Sequence, residues 1–175
     1  MTDPSPPPVA TPAATWRVLA ATAYDGLLVL SLLLVVTAAL HGLTHGEAIS
    51  RARVGAWQYA YGALQLAVIA VYFGVPWTRR GQTLAMKAWK LRLERTDGSR
   101  PDWSAVLRRL AVAVPLYVAA LAGALAYQAH LGGGATALAC ALPVIASHAW
   151  QARTGHGTLP DRVSGTRIVA VTKDT

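Results

Sequence analysis

Long apolar stretches, each about the length of a bilayer crossing, alternate with short polar segments along this chain. From Ala20 to Leu40 a single formal charge, Asp25, occurs in twenty-one residues. At about 1.5 Å per helical residue such a run covers roughly 30 Å of hydrocarbon. From Trp57 to Trp77 there is no charge at all, and a Trp at each end suits indole rings placed at both membrane interfaces. From Leu110 to Ala152 forty-three residues pass without a charge. Gln128, His130 and Gly132-Gly133-Gly134 divide that run into two helices joined by a tight turn. The pattern predicts an all-α, four-helix membrane bundle with spans over about 17–40, 57–77, 106–127 and 135–150.

The polar segments set the orientation. Residues 78–109 carry nine Lys and Arg and the tail after Trp150 carries four, whereas 41–56 has only Arg51 and Arg53 and the 128–134 turn has none. Basic-rich segments stay in the cytosol, so four spans place both chain ends there, with a cytosolic loop over 78–105 and a cytosolic tail over 151–175. In that loop Lys87 and Lys90 lie three apart, with Leu84, Ala88 and Leu91 on a neighbouring face beside Trp89. This predicts a short helix over 83–90 lying on the lipid surface. Residues 91–95 alternate with period two before Asp97-Gly98, and 167–171 are rich in β-branched residues, so a small strand pair completes a cytosolic cap. Ser104 is the expected cap of the third span. Residues 1–15 hold five of the ten prolines and read as a disordered tail. The first basic residue is Arg17, which argues against a cleaved secretory signal.

Composition narrows the class. The chain is 54% apolar and 14% charged, against about 25% charged in an ordinary soluble domain, and the lone Cys140 excludes a disulfide scaffold. Sixteen Lys and Arg face eight Asp and Glu, yet they avoid the apolar runs. The expected partner is therefore a bilayer with anionic headgroups, met by Arg79, Arg80, Lys87 and Lys90, and not a nucleic acid. His41 and His45 stand one helical turn apart near Glu47, but nothing completes a zinc site, so no metal and no cofactor is expected. Phosphate loops, serine-nucleophile motifs and HExxH are absent from the sequence, and no enzyme is expected.

Asp25 carries the most information. A carboxylate at membrane depth costs roughly 2.5–3.5 kcal/mol on insertion scales. Arg17, about 12 Å away along the helix axis, is too far to offset it within one helix. Counting residues up from the cytosolic ends of the spans places Tyr117, Ser147 and His148 near the same level, so a polar cluster in the cytosolic half is expected. Gln65 is a further candidate, or a bond to a neighbouring helix. Pro115 and Pro143 either free carbonyls for a cation path or bend their helices, and Ala119 with Gly123 forms a small-xxx-small pair suited to helix contact.

With those residues in view the sequence resembles the RDD family of bacterial membrane proteins, named for an arginine and two aspartates. Trp16-Arg17 followed by Tyr24-Asp25-Gly26 is similar to the family's first helix. Arg80-Gly81-Gln82-Thr83-Leu84, Lys87, Leu91-Arg92-Leu93, Asp97-Gly98 and Leu107-Arg108-Arg109 resemble its basic loop. Pro160-Asp161-Arg162-Val163-Ser164-Gly165-Thr166 resembles its closing motif, making Arg17, Asp25 and Asp161 the signature. Ala85 stands where the family often has Gly, and Pro160 where it often has His. The resemblance implies a multi-pass protein of the bacterial cytoplasmic membrane, with transport suggested but no settled activity. It also gives Arg17 and Asp161 a joint purpose, a charge-assisted pair pinning the tail beneath the bundle. Two functions remain open. One is transport of a small ion or solute through a polar site near Asp25, with protons and in a homo-oligomer. The other is a non-transporting scaffold or accessory subunit.

Overall fold

The computed structural model describes residues 13–43, 56–155 and 157–171. The proline-rich segment as far as residue 12, the Trp57 side chain, His45, Glu47, Arg51, Arg53 and Lys173 lie outside that description. In chain order the elements are α1 (Thr15–Leu43), α2 (Ala56–Arg80), α3 (Leu84–Ala88), β1 (Leu91–Arg95), α4 (Trp103–Gln128), α5 (Gly134–Thr154), α6 (Leu159–Ser164) and β2 (Thr166–Ala170). The four long helices run in alternating directions: Asp25 of α1 meets Tyr72 of α2 while Thr37 meets Tyr61. On the other pair, Tyr117 of α4 meets His148 of α5, and Gly123 packs against Cys140.

Three of these helices, α1, the Tyr59–Arg80 part of α2, and α4, are long and apolar enough to cross a membrane. The fourth expected span is present as the 21-residue α5, but it is not among the helices that meet that measure. Apolar side chains along the long helices stay exposed, Leu34 at 61% and Val35 at 65% among them. Water would not tolerate so much uncovered apolar surface, whereas lipid does. The buried core gathers instead at one end, where Val18, Trp77, Ala85, Leu91, Leu93 and Val106 pack together beneath α3, α6 and the sheet.

That end is the cap. β1 and β2 pair antiparallel, Leu91 opposite Ala170 and Arg95 opposite Thr166, which joins the basic loop to the tail. The tail contains α6, because Thr158 and Asp161 form the two halves of a capping box. The expected helix over 83–90 is shorter, Leu84–Ala88, with Thr83 as its N-cap. Ser104 does not cap α4. Asp102 does, accepting from the Ala105 N–H at 3.0 Å, and the Ser104 hydroxyl donates to its other oxygen. The Ala105 N–H, followed by Ser104, holds the Asp102 carboxyl below its ordinary range. Of the small-residue pair, Gly123 is buried against Cys140 while Ala119 is exposed. Pro115 and Pro143 both sit inside continuous helices.

Gly81 is the hinge between the bundle and the cap. Its φ of +69° ends α2, its carbonyl accepts from the Leu93 N–H at 2.7 Å, and a Cβ there would lie 2.8 Å from the Leu93 carbonyl oxygen. Gly81→Ala is expected to destabilise the protein by about 1–3 kcal/mol, read as a lowered unfolding midpoint of the detergent-solubilised chain.

Candidate functional site

The polar residues gather where the cap meets the apolar helices. Asp25, ten residues into α1, is 5% exposed. Its Oδ1 accepts from the Tyr72 hydroxyl and its Oδ2 from the Thr83 hydroxyl, both at 2.7 Å. The Thr83 oxygen also accepts from the Met86 N–H at 3.1 Å, so a single hydroxyl caps α3 and solvates the carboxylate. Among the described residues no Lys, Arg or His forms an ion pair with Asp25.

These bonds set the place of α3 against the bundle. It runs beside the first turns of α1, from Thr83 at Asp25 to Trp89, whose ring packs edge-on against Trp16 at 5.6 Å and whose carbonyl accepts from the Arg17 guanidinium. Ala85, fully buried, is small enough to permit that approach. Leu84, Lys87 and Ala88 remain on the exposed side.

Arg17 does not pair with Asp161. The Trp89 carbonyl takes its guanidinium, and Asp161 is bound instead by Arg109, which also donates to the Thr166 hydroxyl at 2.9 Å. The second Asp161 oxygen accepts from the Thr158 N–H at 2.8 Å and hydroxyl at 2.6 Å. Gly157 makes room, since a Cβ there would sit 2.6 Å from the Asp161 Cβ. The Arg109 side chain is 9% exposed and that of Asp161 1%, and the guanidinium lies over the Trp77 ring at 5.4 Å. One buried pair therefore ties α4 to α6, and through Thr166 to the sheet.

Between these groups lies a cavity of about 260 Å³. Thr22, Asp25, Arg109, Tyr117, His148 and Thr158 are among its polar lining, and apolar side chains from the long helices and the cap supply the rest. Tyr117 and His148 thus join Asp25 in one space, bonded to each other at 2.9 Å and not to the carboxylate. Ser147 stands apart, accepting from the Leu159 N–H at 2.8 Å and so seating α6 on α5. Gln65 belongs elsewhere: it donates to Thr37 at 3.0 Å and Tyr61 at 2.6 Å, twelve residues along α1 from Asp25, or about 18 Å. Arg79, Arg80, Lys87 and Lys90 are exposed on the cap, and the Arg79 carbonyl accepts from Arg100 at 3.0 Å.

Tyr72, Thr83, Arg109 and Thr158 are the site residues that sequence reasoning missed. A Thr just before the Leu84 run and the Thr158-x-x-Asp161 spacing were readable cap signals. Nothing local marks Tyr72 or Arg109, whose roles come from helix pairing.

An apolar helical bundle whose buried charges, among the described residues, lie only at its capped end defines an integral membrane protein. The family model that matches this chain is that of the RDD family, over residues 12–127, and the chain belongs to that family. The match includes Arg17, Asp25, Thr83 and Arg109 and ends before Asp161. Comparison with curated proteins and with solved structures finds no match.

Arg109→Ala leaves the Asp161 carboxylate buried without its guanidinium and is expected to cost about 3–5 kcal/mol. Arg17→Ala removes one bond to a carbonyl and is expected to cost about 1.5–3 kcal/mol at most. Limited proteolysis checks the contrast: the Arg109 variant should lose the tail after Gly155 readily, and the Arg17 variant should keep it.

Proposed function

We propose that this protein carries a small ion or solute, coupled to protons, across the bacterial cytoplasmic membrane through the cavity beside Asp25. In this reading four helices cross the bilayer, with the cap and both chain ends in the cytosol, as the distribution of Lys and Arg asks. Arg79, Arg80, Lys87 and Lys90 then face anionic headgroups. The bundle is narrow, so a homo-oligomer is part of the proposal. No catalytic step, metal or cofactor enters it.

One observation carries this reading. A cavity bounded by all four long helices and the cap reaches a buried carboxyl that, among the described residues, no cation pairs with. An acid held near membrane depth beside open space is the arrangement that ion-coupled carriers need, because it binds and releases a charge without unfolding its surroundings. A different observation favours the alternative, a scaffold or accessory subunit. Both oxygens of Asp25 are already occupied by donors from other segments, and those of Asp161 by Arg109 of α4 and by the Thr158 cap of its own helix, so the signature residues also lock the architecture.

Proton flux separates the two. In proteoliposomes loaded with a pH-sensitive dye and driven by a potassium diffusion potential, the parent protein should acidify or alkalinise the lumen faster than empty vesicles. Asp25→Asn, which keeps an oxygen for Tyr72 or Thr83, should reduce the rate to that of empty vesicles while retaining its helical circular dichroism. A parent protein no faster than empty vesicles supports the scaffold.

A further inference from the structure

The cavity beside Asp25 does not end at the bundle axis. Three of its lining residues, Ile69, Leu110 and Val114, also line a groove on the outside of the molecule between α2 and α4. The groove is otherwise formed by apolar side chains such as Leu66, Ala111 and Pro115. It lies along parts of α2 and α4 that belong to candidate membrane spans, so in the proposed membrane placement its mouth faces acyl chains. Ile69, Leu110 and Val114 thus stand between the groove and the cavity, and what separates Asp25 from the outer face of α2 and α4 is apolar.

Arg109 is matched by Asp161, whereas the Asp25 carboxyl is held by two neutral hydroxyls and, among the described residues, has no cationic partner. Aromatic rings stand beside it. Trp77 already carries the Arg109 guanidinium over its face. Phe73, 4.8 Å from Trp77 and 4.9 Å from Tyr72 by ring centroids, lines the cavity, and among the described residues no cation lies over it. A carboxylate, an aromatic face and an apolar approach are together the recognition chemistry of an organic cation. A small hydrated metal ion would have to leave its water at the lipid-facing mouth, whereas a cation with apolar substituents would not.

We propose that the occupant of this cavity is a monovalent amphipathic organic cation, an ammonium centre bearing an apolar arm, which enters sideways from the bilayer between α2 and α4. Its charged centre sits between Asp25 and Phe73 and its arm passes Ile69, Leu110 and Val114 into the groove. This names the substrate class for the transport reading and rests on the same cavity.

The full chain in nanodiscs of zwitterionic lipid, dialysed to equilibrium against radiolabelled benzyltrimethylammonium, tests it, with empty discs subtracted. Saturable binding is expected, with no competition from the neutral isostere neopentylbenzene. Asp25→Asn and Phe73→Leu should each weaken it by about tenfold or more without changing helical circular dichroism. Should Asp25→Asn fail to fold, Val114→Trp, which keeps the carboxylate and narrows the passage, must lower binding or entry rate by a similar factor. Absence of saturable binding, equal competition by the neutral isostere, or unaltered binding by folded Asp25→Asn overturns the proposal. Because binding is read without flux, proton transport without cation binding sinks this inference alone, and cation binding without proton transport sinks only the coupled-carrier reading.

Discussion

Charge held where water gives way to lipid has to be solvated by protein, and in this fold that requirement governs how the cap and the bundle meet. A carboxylate in such a place is tolerable only if donors from other segments reach it. Asp25 takes hydroxyls from Tyr72 and Thr83, on α2 and at the head of α3. Asp161 takes the Arg109 guanidinium from α4 and the Thr158 amide and hydroxyl. Each acid therefore gathers elements distant in sequence, and between them the two acids tie α1, α2, α3, α4 and α6 into one end of the molecule.

The position of the core follows from this. Side chains buried by protein concentrate under the cap, around Leu91, Leu93, Val106 and Trp77, while the rest of the long helices presents Leu and Val outward. In lipid no hydrophobic drive favours helix against helix, so contact there depends on shape and on polar pairs. Gly123 against Cys140 supplies the first. The Thr37, Tyr61 and Gln65 cluster supplies the second, linking α1 to α2 well away from the cap.

Much of this was legible before the structure. Uncharged runs marked four long helices, and alternation over 91–95 with β-branched residues near the chain end marked the strand pair, because both signals depend on local periodicity. Asp25 was recognisable as a residue needing partners, and Tyr117 and His148 do share its cavity. The partners themselves were not legible. Residue counting along each span cannot see that α3 packs alongside α1, which brings Thr83 to Asp25 and gives the Arg17 guanidinium to Trp89. The resemblance suggested a pairing of Arg17 with Asp161, whereas Arg109, six residues into α4, reaches α6 directly. Ser104 lost its capping role to Asp102, two positions earlier, because the longer helix moved the first turn.

The 29 residues of α1 extend to about 43 Å, more than the apolar thickness of a bilayer. The excess is not free to adjust, because Arg17 and Asp25 are both fastened to α3 and its flanking residues. A thicker or thinner membrane therefore cannot be met by sliding this helix along its axis. Hydrophobic mismatch is taken up at its opposite end, around Leu43, or by deforming the surrounding lipid. The cap in this way acts as an anchor that sets the immersion depth of the whole molecule.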